Sequence, residues 1–210
     1  MAVTDVIDVT FGDDVITTTV TSSGTAVDRW IAAVLSAHRP GGIGYDIIIA
    51  GLDVEWRPSY SAAQNPVATL QLCVGRSCLI FQLLRADYFP AALAEFLGDR
   101  RIRFFGVGVE VDAERLRVDH GLEVANAVDL RDRAADYMDR PDLRQAGLRA
   151  IAGVVLGVDL VKPRRVTMSR WDVQFLSDQQ IRYACIDAFV SSEVARRLVS
   201  CYEQVYRFVS

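Results

Sequence analysis

The chain has 210 residues, of which 51% are hydrophobic, and it carries a formal net charge of −4. This length and composition favour one globular domain with a well-buried core. The negative charge argues against a protein that grips nucleic acid through a broad basic surface. None of the cysteines forms a CxxC pair or lies at zinc-ligand spacing from a histidine, so we expect no zinc site.

No apolar run reaches the ~18 to 20 residues that span a bilayer, and the first residues do not have the pattern of a secretory signal. We therefore expect an intracellular protein with no membrane partner and with reduced thiols. Basic residues cluster at 100–103, 131–133 and 162–165. They are candidates for a phosphate track, although solvated surface charge is the better interpretation of any single cluster.

The N-terminal region contains two β-rich runs, from Val6 to Phe11 and from Val15 to Val20, which predict a hairpin. Thr25 and Asp28 resemble a capping box, and apolar residues at helical spacing around Trp30 predict a first helix. Residues 40–44 end this helix and form a linker.

The apolar run Ile47-Ile48-Ile49 predicts that the next strand, Tyr45 to Glu55, is covered on both faces and lies inside a sheet. Two further strands are expected at Val67–Val74 and Cys78–Leu83, with a tight turn at 75–77.

Helices and strands then alternate. We expect helices at 90–97 and 112–120, strands at 103–107 and 125–130, and a nearly all-helical remainder from 143 to 206. The order predicts an α/β fold with a mixed β-sheet flanked by helices. We predict that residues 1–44 form a hairpin and helix packed on the same domain as residues 45–210.

Acidic residues occur at several element ends. Asp53 and Glu55 end the most hydrophobic strand, and their i, i+2 spacing directs both carboxylates to one face. Taken alone, this pair is better explained as acids where a sheet meets solvent. Tyr183 and Asp187 share one helix face by their i, i+4 spacing, although a hydrogen bond between them would explain the pair equally well.

Asp112 follows the strand at 103–107, where an acid favourable to a helix N-terminus is the ordinary explanation. Considered together, Asp53, Glu55, Asp112 and Asp187 supply the carboxylates that two divalent cations require. Mg²⁺ and Mn²⁺ prefer carboxylate and water oxygens. Four clustered anions without a cation would repel one another strongly, so a shared site implies bound metal.

Three segments in this order resemble the exonuclease motifs of the DEDD superfamily: Gly51–Pro58, Val107–Asp112 and Tyr183–Ala188. The tyrosine four residues before the last aspartate is similar to the tyrosine-bearing branch. The chain is closer still to Werner-type exonuclease domains, especially plant stand-alone members. The additional matching segments are Gly147–Leu156, Leu160–Lys162, Ser169–Trp171 and Leu176–Gln180. Gly108 stands where many members carry asparagine.

The resemblance implies a ribonuclease H-like fold and a 3′-5′ exonuclease that uses two Mg²⁺ or Mn²⁺ ions. It implies that Asp53 bridges both ions, that Glu55 and Asp187 complete one, that Asp112 holds the other, and that Tyr183 orients the attacking water. The partner would be a nucleic acid with a free 3′ end, with DNA favoured and RNA possible, and the products would be 5′-mononucleotides. Nuclear residence follows from the family, with the cytoplasm as the alternative.

Four residues are weaker candidates for substrate binding: Trp56, Lys162, Arg164 and Arg165. Trp56 would wall the pocket for the terminal nucleotide, although a core tryptophan explains it equally well. Two other functions stay open. One is RNA trimming of the ribonuclease D kind, and the other is a non-catalytic nucleic-acid-binding or partner-binding module with the same fold.

Overall fold

A computed structural model describes residues 2–38, 47–59, 61 and 63–207. Its strands are β1 Thr4–Phe11, β2 Asp14–Thr21, β3 Ile48–Trp56, β4 Val67–Val74, β5 Ser77–Phe81, β6 Ile102–Gly106 and β7 Ala127–Asp129. Its α-helices are α1 Gly24–Ala37, α2 Ala91–Gly98, α3 Val109–His120, α4 Leu130–Met138, α5 Leu148–Leu156, α6 Arg164–Thr167 and α7 Asp178–Arg207. Short 3-10 helices lie at Leu83–Arg85 and Pro141–Gln145.

The strands form one sheet in the order β1-β2-β5-β4-β3-β6-β7. The β1–β2, β5–β4 and β4–β3 pairs are antiparallel, whereas β2–β5, β3–β6 and β6–β7 are parallel. One hydrophobic cluster packs α4, α5 and α7 on one face, and a second packs α1, α2 and α3 on the other. The expected mixed sheet flanked by helices, and the interior position of β3, are confirmed.

The predicted N-terminal hairpin is confirmed as β1 and β2, and the parallel β2–β5 pair attaches it to the central sheet. The expected capping box is wrong, because α1 begins at Gly24 and Thr25 lies inside its first turn. The Thr25 hydroxyl instead hydrogen-bonds with that of Tyr88 at 3.0 Å. The predicted linker and the boundary between residues 44 and 45 lie outside the described residues. Within the described ranges, no helix is both long and apolar enough to cross a membrane.

Two expectations for the C-terminal half are wrong. The strand predicted at 125–130 is only Ala127–Asp129, because the Asp129 carboxylate accepts a hydrogen bond from the Arg131 amide and caps α4. The region from 143 onward is not nearly all helical. Gly157, with φ of 74°, ends α5, and most of 157–177 is irregular apart from the one-turn α6.

The expectation of reduced thiols is also wrong, since Cys73 and Cys78 form a disulfide. These residues stand directly opposite each other on antiparallel β4 and β5, with their Cα atoms 4.2 Å apart. The expectation rested on the cellular compartment, whereas strand register brings these two sulfur atoms together. Cys185 is free and buried, and burial raises the pKa of its thiol to about 11.

Candidate active site

The site begins with a close approach of α7 to β3. A Cβ atom on Gly51 would lie 1.8 Å from the Ala188 carbonyl oxygen, so only glycine permits this packing. Gly51 precedes Asp53 by two residues on β3, and Ala188 follows Asp187 on α7. The contact therefore sets the distance between the carboxylates of Asp53 and Asp187.

An open cavity of about 570 Å³ lies at this junction. It brings together most of the residues singled out from the sequence, which are Asp53, Glu55, Trp56, Asp112, Lys162, Tyr183 and Asp187. Arg165 lines a neighbouring cavity of about 230 Å³, which shares Tyr183 and Asp187 with the first. Arg164 is exposed on α6 and lines neither cavity.

Burial and neighbouring negative charges both raise the pKa values of Asp53 and Glu55. Burial raises the pKa of Asp53 well above its usual value, and Asp187 and Asp112 raise it further. Burial likewise raises the pKa of Glu55, with Asp53 and Asp187 adding to the effect. Lys162 offsets these effects only in part, so the ionised form of both carboxyl groups lacks full compensation, which is the condition that a bound cation relieves.

Asp112 lies in the first turn of α3 and is 9% exposed. Burial raises its pKa to about 7, against the opposing effect of Arg115. The turn before α3 depends on Gly108, whose φ is 75° and whose amide donates to the Asp129 carboxylate at 3.0 Å. Asp129 thus holds the turn that aims Asp112 at the cavity, a role that its sequence position did not reveal.

Asp187 is 3% exposed and has two described partners. Its Oδ2 lies 2.6 Å from the ammonium of Lys162, and the Tyr183 hydroxyl donates to it. Burial raises the pKa of the Asp187 carboxyl, and Lys162 only partly offsets this. Burial and the neighbouring carboxylates also raise the pKa of Tyr183, so its hydroxyl acts as a neutral hydrogen-bond donor.

The start of α7 is fixed by a capping box between Ser177 and Gln180. The Gln180 amide also donates to Ser169 Oγ at 3.0 Å and to the Arg170 carbonyl at 3.1 Å. These bonds hold the segment before Trp171, whose buried ring packs 6.1 Å from that of Tyr183. The first turn of α7 thereby orients the tyrosine.

Trp56 lies on the cavity wall and stacks on the guanidinium of Arg115, 3.9 Å from the ring centroid. Arg115 Nη2 donates to the Asn65 carbonyl at 2.6 Å, while Nη1 is buried and has no hydrogen-bond partner among the described residues. Sequence analysis missed Arg115. Its signal is the i, i+3 spacing from Asp112 on α3.

Thr69 and Gln71 are fully buried polar residues directly opposite Glu55 and Asp53 in the β4–β3 register. The Gln71 amide donates to Thr69 Oγ1 at 2.7 Å. Opposed residues on antiparallel strands share a face, so this pair lies beside the two carboxylates. Their alternation with Ala68, Leu70 and Leu72 was a period-2 signal that sequence analysis did not use.

The donor set suits hard divalent cations in kind, because it consists of carboxylate oxygens that share one cavity. Within the part of the chain that the structure describes, no group of three or more His, Cys, Asp or Glu side chains is arranged to hold a metal ion. One of the carboxylates, that of Asp187, is paired with the Lys162 ammonium.

The fold and this cavity define a class of protein, the ribonuclease H-like exonucleases. A crystal structure of the EXD2 exonuclease domain is 25% identical, with a TM-score of 0.51 over 92% of this chain and 95% of that one. RNase D of Escherichia coli, described as an exoribonuclease involved in structured RNA processing, shares the fold at 18% identity and a TM-score of 0.69, over 86% of this chain and 44% of that one.

The 3′-5′ exonuclease family model matches residues 26–201, and the chain belongs to this family. A 3′-5′ exonuclease of Arabidopsis thaliana is 31% identical over 69% of this chain and 50% of its own length. The bifunctional 3′-5′ exonuclease/ATP-dependent helicase WRN of Mus musculus is 30% identical over 71% of this chain. The chain spans half of the first relative and 11% of the second.

Proposed function

We propose that the chain is a 3′-5′ exonuclease that hydrolyses the terminal phosphodiester bond of a nucleic acid and releases 5′-mononucleotides. The observation that carries this proposal is the shared cavity of Asp53, Glu55, Asp112, Tyr183 and Asp187. Its volume of about 570 Å³ lies in the range of ~300–1,000 Å³ typical of small-ligand sites. Such a cavity accommodates one terminal nucleotide.

In this proposal Asp53, Glu55, Asp112 and Asp187 hold two Mg²⁺ or Mn²⁺ ions. Bound divalent ions supply positive charge at the scissile phosphate and lower the pKa of bound water. The burial of these carboxylates supports the assignment, because ionising them without a cation is costly.

The chain's other residues orient the substrate and water. The Tyr183 hydroxyl, already a donor to Asp187, positions the attacking water by hydrogen bonding. Trp56 supplies an aromatic face for the terminal base. Lys162, Arg164 and Arg165 follow one another on and before α6, and we assign them to phosphate oxygens along the strand.

DNA is the favoured substrate because the motifs resemble those of Werner-type domains. RNA trimming is the alternative, and a test requires DNA and RNA strands of one sequence. Each strand would carry a 5′ label, be presented with and without a complement, and be incubated with Mg²⁺. We expect shortening one nucleotide at a time from the 3′ end, and no cleavage of a circular single strand.

The variant Asp53→Asn removes a charge while keeping the side chain's shape. Its rate of nucleotide release should fall below about 1% of wild type, because a ligand to the catalytic ions loses its charge. Asp99→Asn is the matched control, since Asp99 pairs with Arg101 and does not line the cavity. Near-normal release by folded Asp53→Asn would contradict the assignment. Tight binding without release by the wild type would instead support a non-catalytic module.

A further inference from the structure

Lys162 places a positive charge among the carboxylates of the candidate active site. Its Nζ lies 2.6 Å from Asp187 Oδ2 and 5.5 Å from the centroid of the Tyr183 ring. The Lys162 side chain is 30% exposed and that of Asp187 only 4%. Water screens such a pair much less than it screens a surface pair, so the contact is a substantial part of the local electrostatic balance.

The surrounding carboxylates favour the charged form of this lysine. Its Nζ is paired with Asp187 in a cavity that Asp53 and Glu55 also line. In this ion pair the side chain is an ammonium ion. It can donate hydrogen bonds to a carboxylate, but it cannot serve as a ligand to a cation.

The backbone holds Lys162 in place from both sides. Leu160 is 2% exposed and belongs to the core cluster under α7, and Pro163 is the N-cap of α6. The anchored backbone leaves the flexible four-carbon side chain as the part that moves when its partner changes. Lys162 lines the same cavity as Asp53 and Asp112.

We propose that Lys162 is a built-in counter-ion that neutralises Asp187 in the metal-free protein and competes with a divalent cation for that carboxylate. This inference rests on the proposed function, in which Asp187 is a metal ligand. It accounts for the pairing of Asp187 with a cation of the chain itself inside a cavity that other carboxylates line. With a cation bound at Asp187, the Lys162 ammonium would be free to contact a phosphate oxygen of the substrate.

The competition has a measurable consequence. A cation entering the site must displace the ammonium and then sits close to a like charge, and both effects weaken metal binding. Lys162→Met removes the charge and keeps an unbranched side chain. It should bind Mn²⁺ at least ~10-fold more tightly than wild type, because like charges within a few ångströms in a partly desolvated site repel strongly.

The test is Mn²⁺ binding without substrate, followed by the electron paramagnetic resonance signal of free Mn²⁺. Lys162→Arg keeps the charge and should stay within about 2-fold of wild type. Arg170→Met removes an exposed cation that pairs with Asp172 rather than with the site, and should also leave Mn²⁺ affinity unchanged. The Mn²⁺-induced rise in Tm should be larger for Lys162→Met than for wild type, because the metal-free variant leaves Asp187 without its cation.

The outcomes separate this inference from the proposed function. If wild type binds Mn²⁺, Asp53→Asn does not, and Lys162→Met binds no more tightly than wild type, the counter-ion role is overturned while the metal site stands. If neither wild type nor Lys162→Met binds Mn²⁺, both are overturned. Should Lys162→Met fold poorly, Lys162→Gln supplies the same neutral comparison, and equal affinity to wild type again overturns the role.

Discussion

Among single side chains, Arg115 connects the wall of the cavity to its carboxylates. Its guanidinium stacks on Trp56, and its charge lowers the pKa of Asp112 against the larger effect of burial. It also donates to the Asn65 carbonyl, which lies at the end of the segment that follows β3. A stacked arginine of this kind is not interchangeable with lysine, because stacking needs the planar guanidinium.

Arg115→Lys should therefore raise KM for the terminal nucleotide while changing kcat less. The loss of stacking, worth about 0.5–2 kcal/mol, corresponds to a rise in KM of roughly 2- to 30-fold. Trp56 fluorescence gives a second measurement, since Trp30 and Trp171 are buried and a 5′-mononucleotide should quench mainly Trp56. Arg117→Lys, on the same helix but paired with Glu114, is the control. An Arg115→Lys enzyme with the KM and quenching of that control would disprove this role.

Among secondary-structure elements, the packing of α7 on β3 decides whether a site exists. Each element carries two residues of the constellation, Asp53 and Glu55 on the strand and Tyr183 and Asp187 on the helix, and α3 supplies Asp112. Gly51 permits their approach because no side chain intervenes. A side chain at position 51 should therefore lower both the stability of the protein and its catalytic activity.

Gly51→Ala should destabilise the protein and abolish nucleotide release together. The added Cβ would meet the Ala188 carbonyl oxygen at 1.8 Å, so the helix must move. Overpacking of a core typically costs about 1–3 kcal/mol of unfolding free energy. Denaturant unfolding measures the first effect and the labelled-strand assay the second.

Gly98→Ala is the matched control, since a Cβ there meets no atom within 4 Å and Gly98 ends a surface helix. It should keep both stability and activity. If Gly51→Ala behaves like this control, the close approach of α7 to β3 does not govern the site.

For the whole molecule, the net charge of −4 understates how unevenly charge is distributed. Several carboxylates with raised pKa values are gathered in one cavity, whereas surface acids such as Asp99 pair with arginines and have lowered pKa values. The stability of the metal-free protein should therefore fall as these carboxyl groups ionise, and a bound cation should offset that loss.

In EDTA, stability should fall as pH rises from about 4 through about 7. The pKa of Asp112 is about 7 in the folded protein and 3.8 in a model peptide, so in this window the folded state binds a proton that the unfolded state has released. Raising the pH therefore favours unfolding. Tm measured at pH 5 and pH 8 should be lower at the higher pH, and Mg²⁺ should restore Tm mainly at pH 8.

Asp112→Asn cannot titrate at this position, so its Tm should depend less on pH in EDTA than that of wild type. Surface acids with lowered pKa values act in the opposite sense, but only below about pH 4, outside the measured range. A wild-type Tm in EDTA that is higher at pH 8 than at pH 5 would refute the account of buried, uncompensated carboxylates.

The sequence alone was sufficient for features that depend on local geometry. Period-2 spacing placed Asp53 and Glu55 on one face of a strand, and i, i+4 spacing placed Tyr183 and Asp187 on one face of a helix. The same periodicities predicted the hairpin, the interior strand and the mixed sheet. Local rules failed at Asp129 and Gly157, where a cap and a left-handed residue ended elements that apolar patterning extended.

Only the tertiary structure decided the partners of these residues. Three contacts join positions that spacing along the sequence does not relate, or relates only through strand register. They are the contact between Lys162 and Asp187, the stack of Arg115 on Trp56 and the disulfide between β4 and β5. Each depends on how one element docks on another, which is set by packing across the whole core. Side-chain periodicity determines which face a residue occupies, whereas docking determines what that face meets.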